Sequence, residues 1–310
     1  MNLNSKIFIS GHKGLVGSSI LQFLKKKKFK KIFVIDKNKL DLRNQDKVLK
    51  YFKKHKFDYV INSAGKVGGI FANNKFKADF IYDNIMMQNN IVYSSYLTKV
   101  KGLIFLGSSC IYPKNAKIPM RENDLLTGKL EETNEPYAIA KIAGIKMCES
   151  FNFQYHTNFK CLMPCNLYGP NDNYDLVTSH FLPALIKKIY DAKQKDKKKV
   201  VLWGSGKPLR EIMYVDDLAD ACLYFLKKKT NHPLINIGSG TEKSILEYAK
   251  IIAKKLGYKG QFIFDRSKPD GMKRKLVDSK LAKKYGWRAK TSFQDGLQKT
   301  LDHYIKEEIS

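Results

Sequence analysis

Tyr137 and Lys141 stand in the run Tyr137-Ala-Ile-Ala-Lys141. On a helix this spacing puts the phenol and the ammonium on one face, about 5–6 Å apart at Cβ. A cation so placed favours phenolate over phenol and could let Tyr137 give up a proton near neutral pH. Tyr-x-x-x-Lys recurs by chance in lysine-rich helices, so the pair takes its meaning from its surroundings. Upstream, the apolar run Leu103–Leu106 leads into Gly107-Ser108-Ser109-Cys110. A hydroxyl at the C-terminal edge of a parallel strand points into the crevice where ligands bind. There Ser108 could polarise a carbonyl while Tyr137 protonates its oxygen. Cys110 could remove a proton from carbon beside a ketone if its pKa were lowered. His180, near an expected helix start, could be the matching acid. A lone cysteine or histidine is more often packing or surface, and Ser108 could simply cap its loop.

The chain opens with a second feature of this kind. Gly11-His12-Lys13-Gly14-Leu15-Val16-Gly17 follows an apolar run, Lys6–Ser10, and starts an amphipathic stretch, Leu15–Lys26. Glycines let a backbone turn sharply and approach a pyrophosphate, and a helix N-terminus adds N–H groups and positive potential. The spacing is G-x-x-G-x-x-G, a relative of G-x-G-x-x-G. The bland alternative is a tight turn with no ligand. The second strand should end at Asp36, where a carboxylate would bind a ribose 2′-hydroxyl; Lys37 follows and could hold a 2′-phosphate instead. Further along, Trp203 could stack a base, Arg210 could grip a diphosphate, and Lys188 could add charge. Core packing or plain surface charge would explain them equally. Asp270, in Lys268-Pro269-Asp270-Gly271, reads most simply as a turn residue.

These residues need a frame. Strand signals at Lys6–Ser10, Lys31–Ile35, Tyr59–Asn62, Leu103–Leu106 and Phe159–Met163 alternate with helical patterns near Leu15–Lys26, Asn44–His55, Phe76–Leu97 and Pro136–Gln154. Alternation of this kind predicts an α/β fold, a Rossmann-type doubly wound parallel sheet with helices on both faces. Residues 1–170 are expected to form the dinucleotide-binding domain, with its sheet completed from about 210–240. Residues 171–310 are expected to form mainly a smaller substrate-binding lobe. After Pro164, Asn166–Pro170 reads as a turn closing the sheet. A helix is expected near His180–Ala192, a strand at Val200–Leu202, and a helix capped by Asp216 running to Leu226. Leu234–Ile237 could return to the sheet, and Phe262–Phe264 is strand-like.

The net charge of +28 invites a nucleic-acid reading. Only six of the 57 basic residues are arginine, the better reader of phosphates and base edges. The lysine runs 25–28 and 197–199 fall at expected helix ends or in loops, where they suit the macrodipole and stay solvated. A lysine-rich solvated surface with no nucleic-acid partner is the reading adopted. No apolar run is long enough to span a bilayer, and the first residues go almost directly into a strand without a secretory apolar region. A soluble cytoplasmic protein is expected. The five cysteines, Cys110, Cys148, Cys161, Cys165 and Cys222, show no paired ligand spacing, so neither disulfides nor a metal is expected.

Taken together, the motifs resemble the extended short-chain dehydrogenase/reductase family. The matching stretches are Lys66–Ile70, Gly107–Pro113, Asn134–Lys141, Asn166–Pro170 and Lys268–Gly271, and the resemblance runs nearly end to end. Its best match is the branch that takes GDP-4-keto-6-deoxy-D-mannose, epimerises C3 and C5, and reduces the C4 ketone with NADPH. The resemblance implies that Tyr137 donates a proton to the C4 oxygen, with Lys141 lowering its pKa and holding the nicotinamide ribose. It makes Ser108 the ketone polariser, and Cys110 and His180 the epimerisation base and acid. It assigns the NADP cofactor to Gly11–Gly17, Lys37, Leu106, Gly107, Ser108, Ser109, Lys141, Pro164, Cys165, Asn166, Leu167 and His180. Lys188, Trp203, Arg210 and Asp270 become contacts to the nucleotide sugar. It also implies a homodimer through helices of the main domain. The competing reading is another epimerase or dehydratase of this fold that uses NAD. A dehydratase would carry an acidic residue beside the serine, where this chain has Cys110.

Overall fold

A computed structural model describes residues 1–268 and 270–309. Pro269, in the segment Lys268–Gly271, lies outside the described residues. In the first half, strands β1 (Lys6–Ser10), β2 (Lys31–Phe33), β3 (Tyr59–Asn62), β4 (Gly102–Leu106) and β5 (Phe159–Pro164) alternate with helices α1 (Leu15–Lys26), α2 (Gln45–His55), α3 (Ile70–Lys75), α4 (Lys77–Leu97) and α5 (Glu135–Tyr155). The second half holds β6 (Asn166–Tyr168), α6 (Phe181–Gln194), β7 (Lys199–Trp203), β8 (Leu209–Tyr214), α7 (Val215–Lys227), β9 (Leu234–Ile237), β10 (Glu242–Ser244), α8 (Ile245–Leu256), β11 (Gln261–Asp265), β12 (Arg274–Lys275), α9 (Lys280–Lys284) and α10 (Phe293–Ile309).

The main sheet has the order β2-β1-β3-β4-β5-β9, and each of its pairings is parallel. Its inner strands are buried on both faces and are apolar for that reason. Ile7, Phe8 and Ile9 are fully buried, and Phe8 packs against Phe52 and Phe57 at ring distances of 5.4 and 5.0 Å. Full burial of such a side chain contributes about 1.5–3 kcal/mol. α1 and α7 pack together at the sheet, as do α4 and α5. No helix among the described residues is long and apolar enough to cross a membrane.

The doubly wound parallel sheet expected from the alternation is present, with differences at the edges. β2 stops at Phe33 rather than Ile35, because β1 pairs with it only through Phe8. Beyond that point the two strands are no longer paired. Asn166–Tyr168 is not only a turn: it pairs in parallel with Ile212–Tyr214 of β8. Asp216 does not cap α7. Tyr214 occupies that position, and Asp216 accepts a hydrogen bond from Ser19 of α1 at 2.7 Å.

A second core gathers Leu185, Ile186, Ile189, Leu202, Tyr248, Ile252 and Leu297 beneath α6, α8 and α10. Around it β8 pairs with β6, β10 and β12, and β7 pairs with β11.

Candidate active site

The glycine turn is built for close approach. Gly11 has φ +71°, and a Cβ there would sit 2.9 Å from the backbone of Ala64. A Cβ on Gly17 would lie 2.1 Å from the Gly11 carbonyl oxygen. Gly14, by contrast, faces open space, and no side chain caps α1. The first-turn N–H groups of α1 therefore meet an uncrowded, anion-favouring cradle, which fits a dinucleotide pyrophosphate. Val16 and Leu15 line the same turn. Gly169, just past β6, brings the end of the Pro164–Leu167 segment to the start of α1, since a Cβ there would touch Leu15 at 3.4 Å. Within that segment Pro164 and Cys165 are buried, and the Cys165 N–H donates to Ile237 at 2.9 Å. Asn166 and Leu167 stay half-exposed.

Asp36 does not face this cradle as a free carboxylate. Lys13 Nζ lies 2.8 Å from it and His12 Nε2 lies 3.4 Å away. The Lys13 hydrogen bond leads the effects that hold its carboxyl below the usual range. Lys37 projects from the surface beside it.

At the end of β4, Gly107 packs on Met163, and Ser108, in extended conformation, accepts a long hydrogen bond from the Cys110 N–H at 3.5 Å. Ser109 is buried in the one-turn helix that follows. Pro136 sits in the first turn of α5, where its missing N–H costs nothing, and Tyr137 follows. One turn on, Lys141 is 4% exposed. Its Nζ donates to the Leu106 carbonyl at 2.9 Å and lies 5.7 Å from the Tyr137 ring centroid and 5.0 Å from that of Phe105. Gly144 permits this, because a Cβ there would strike Phe105 at 2.4 Å. Gly65 lies beside the same ammonium, and a Cβ there would press on Asn84 Oδ1 at 3.1 Å.

The pair is thus brought together as its spacing predicts, but its acidity is not as expected. Burial, followed by the charge of Cys110, pushes the Tyr137 phenol up. Lys141 spends its hydrogen bond on Leu106 rather than on the phenol, and burial pushes its own pKa down to about 8. Cys110 is also moved the wrong way for a ready thiolate. Burial raises it, opposed by Lys275, the Ser108 hydroxyl and Lys141. His180 stands at the start of α6 without a side-chain capping bond, and it keeps open surface while being closely surrounded by protein, as a side chain lining a cleft does. Burial first, and Lys275 second, hold it toward the neutral imidazole.

Across the cleft, Lys188 Nζ lies 4.9 Å and Lys268 Nζ 5.8 Å from the Trp203 ring, which is half exposed. Lys188 also donates to the Val201 carbonyl at 3.2 Å. Arg210 directs its guanidinium to the carbonyls of Leu209 (2.9 Å) and Asp270 (3.4 Å). The Asp270 carboxylate accepts from Ser205 N at 2.6 Å and Ser205 Oγ at 2.7 Å, so it fixes the turn that follows Trp203. Sequence reading missed three participants. Asn84 clamps the loop after β3 by bonding Lys66 N and O at 2.9 and 3.0 Å. Gly65 leaves room for the Asn84 amide, since a Cβ there would lie 3.1 Å from its Oδ1, and the charge of Lys275 bears on both Cys110 and His180. A buried asparagine on an apolar helix face was the available signal for Asn84. A cavity of about 640 Å³ lined by Pro113, Thr127, Leu130 and Glu135 holds none of these side chains; the candidate site is placed by the side chains that converge.

An α/β dinucleotide-binding sheet with Ser, Tyr and Lys at one strand end defines a class, and the chain belongs to it. Residues 7–238 match the NAD dependent epimerase/dehydratase family, and the chain is a member of that family. It is 49% identical over 300 residues to a GDP-L-fucose synthase of Sinorhizobium fredii, covering 97% of this chain and 95% of the relative. Among solved structures it resembles a GDP-L-fucose synthetase of Naegleria fowleri bound to NADP, at 30% identity and a TM-score of 0.92, covering 100% of this chain and 95% of the other. It also resembles a GDP-mannoheptose C4 reductase of Campylobacter jejuni with NADP bound, at 38% identity and a TM-score of 0.91, covering 98% and 99%.

Burying Lys141 has a stability signature. Its folded pKa of about 8 lies below the ordinary 10.5, so the unfolded chain holds that proton more tightly between those values. The penalty is complete below pH 8 and is relieved as pH rises through 10.5. Lys141→Met should therefore raise folding stability at pH 7 by about 2 kcal/mol, allowing for the lost bond to Leu106, and the gain should fade toward pH 10.5. Denaturant melts showing a less stable variant at pH 7 would contradict this.

Proposed function

We propose that this chain converts GDP-4-keto-6-deoxy-D-mannose to GDP-L-fucose, by epimerisation at C3 and C5 followed by NADPH-dependent reduction at C4. The observation that carries the reading is the convergence of Ser108, Cys110, Tyr137 and Lys141 at the end of β4, in a chain alike over nearly its full length to GDP-L-fucose synthases.

The chemistry follows from one carbonyl. A C4 ketone acidifies the C–H bonds at both neighbours, so a single thiolate and a single imidazolium can move protons at C3 and C5. Cys110 takes each proton and the His180 imidazolium returns one from the opposite face, the thiol losing its proton to solvent and the imidazole regaining one before the second epimerisation. The enolate oxygen formed each time lies at C4, where Ser108 and Tyr137 donate hydrogen bonds. The same two donors then stabilise the alkoxide of reduction, and Tyr137 hands over its proton. NADPH, when bound, supplies the hydride. Gly11–Gly17 and the start of α1 would hold its pyrophosphate, Lys141 its nicotinamide ribose, and Lys13 with Lys37 its 2′-phosphate. Lys13 and His12 offset the Asp36 charge, which removes the main electrostatic objection to a phosphate there. At the far end Trp203 and Lys188 flank the base and Arg210 meets the diphosphate. Asp270 shapes that wall by holding Ser205.

The assembly read here is a homodimer through α4 and α5. Tyr82, Tyr93 and Leu97 on α4 and Ile139 and Phe153 on α5 leave apolar surface open, Phe153 at 88% exposure, and α4 and α5 already pack as one layer. Phe153→Asp should shift the protein to monomer in sedimentation velocity runs. An unchanged dimer, or a wild-type monomer at micromolar concentration, would remove this contact.

Turnover decides the activity. Purified protein given GDP-4-keto-6-deoxy-D-mannose should oxidise NADPH stoichiometrically with GDP-L-fucose formed, and do so faster than with NADH. Inertness of a folded sample with this substrate would defeat the assignment, and a clear preference for NADH would defeat the phosphate site.

A further inference from the structure

Two loops meet just ahead of His180. One leaves β3 and runs into α3; the other, residues 172–179, leads into α6. Each is stiffened by side chains that have no other role. Asp175 Oδ1 accepts from Val177 N at 3.1 Å, Thr178 N at 2.8 Å and Thr178 Oγ1 at 2.7 Å. Asn173 closes the knot: its Oδ1 accepts from Asp175 N at 3.0 Å, and its Nδ2 donates to Thr178 Oγ1 at 2.9 Å. Ser179 N then donates to the Asp175 carbonyl at 2.9 Å. On the other side Asn73 of α3, buried, donates from Nδ2 to Gly68 O at 2.6 Å and Gly69 O at 3.0 Å. The loops join through Gly69 N, which donates to Thr178 O at 2.8 Å. The approach is too close for a side chain, because a Cβ on Gly69 would lie 2.6 Å from the Ser179 carbonyl oxygen. Gly69 has φ −67°, so the neighbouring loop, and not the backbone conformation, demands glycine there.

His180 is the next residue after Ser179. Its imidazole makes no capping bond to α6, so its place is set by the backbone that carries it. We propose that Asp175 and Gly69 are positioning residues for His180. Asp175 knots the loop ahead of it, and Gly69 lets the loop after β3 seat directly against the Thr178 and Ser179 carbonyls. The inference rests on the reading in which the His180 imidazolium returns a proton to C3 and C5 from the face opposite Cys110. Inversion needs that acid within hydrogen-bond reach of the carbon. Reduction at C4 does not, since it uses the hydride and the Ser108 and Tyr137 donors. A displacement of about 1 Å can cost on the order of a hundredfold in rate. Loosening the joint therefore slows inversion at both carbons and spares reduction.

Three variants of the full chain separate the outcomes. Asp175→Ala removes all three acceptor contacts, Asp175→Asn keeps an Oδ1 that can accept them, and Gly69→Ala pushes on the joint from the opposite side. Amide hydrogen exchange followed by peptide mass spectrometry reads the joint without turnover. Peptides covering 176–182 should exchange on the order of tenfold faster in both alanine variants. Those covering β1 should not change, and Asp175→Asn should restore the wild-type rate. With the keto sugar and NADPH, both alanine variants should form more C4-reduced sugar that keeps its original configuration at C3 or C5. Its share of product should rise on the order of tenfold over wild type, with the KM for the keto sugar unmoved. A role in fold stability alone would lower reduction and inversion in proportion and leave that share where it was. Unchanged exchange at 176–182, an unchanged product share, or an Asp175→Asn variant that behaves like Asp175→Ala would overturn the proposal. A wild type inert toward the keto sugar would defeat the activity proposed above and not the joint, which the exchange rates then decide alone.

Discussion

The site depends on holding an ammonium where water is nearly absent. Lys141 is enclosed by β4, α5 and the loop after β3, with one hydrogen bond to the Leu106 carbonyl and two aromatic faces beside it. A buried charge with so few partners is costly, and the fall of its pKa to about 8 expresses that cost. The surrounding structure is arranged to bear it. Gly144 lets α5 approach Phe105, and Gln88 of α4 ties down the Ala140 carbonyl one residue before the lysine. The return on this arrangement is a cation fixed next to Tyr137, where the proposed hydride addition to a ketone makes an anion.

The same burial governs the other groups proposed to carry protons. Tyr137 and Cys110 are pushed up, and Lys141 and His180 are pushed down. Each shift favours the neutral form, so the site at rest is biased against its own charges. In the proposed reaction a polarised ketone reverses the balance, because charge then develops where Ser108, Tyr137 and the nearby cations can meet it. Electrostatic stabilisation is strongest in such a preorganised, water-poor setting. Placing three proton and hydride events around one carbonyl lets a single arrangement of donors serve all of them.

Much of this frame was legible in the amino-acid sequence. β1, the glycine turn and α1 follow from an apolar run, three spaced glycines and an amphipathic stretch, all local signals. The Tyr137–Lys141 pairing follows from helical spacing alone. The acidity of that pair was not legible, because spacing reports proximity and says nothing of how much protein encloses both groups. β12 escaped notice for a related reason. Two residues carry no periodicity, and the strand exists only because β8 pairs with it and Met120 binds the residue just beyond it. Lys275 therefore looked like one more surface lysine among many. Asp216 misled in another way: an aspartate ahead of an apolar run reads as a cap, yet its carboxylate is engaged by Ser19 on a neighbouring helix. Asp270 read as a turn residue and does hold a turn, the one beside Trp203.

The central claim is that one ketone organises proton transfer at both neighbouring carbons and then accepts hydride. Turnover of GDP-4-keto-6-deoxy-D-mannose in deuterium oxide with unlabelled NADPH tests it in a single product spectrum. The account predicts solvent deuterium at both C3 and C5 of the product sugar and protium at C4. Product carrying protium at C3 and C5 would show a plain ketone reductase and contradict the account.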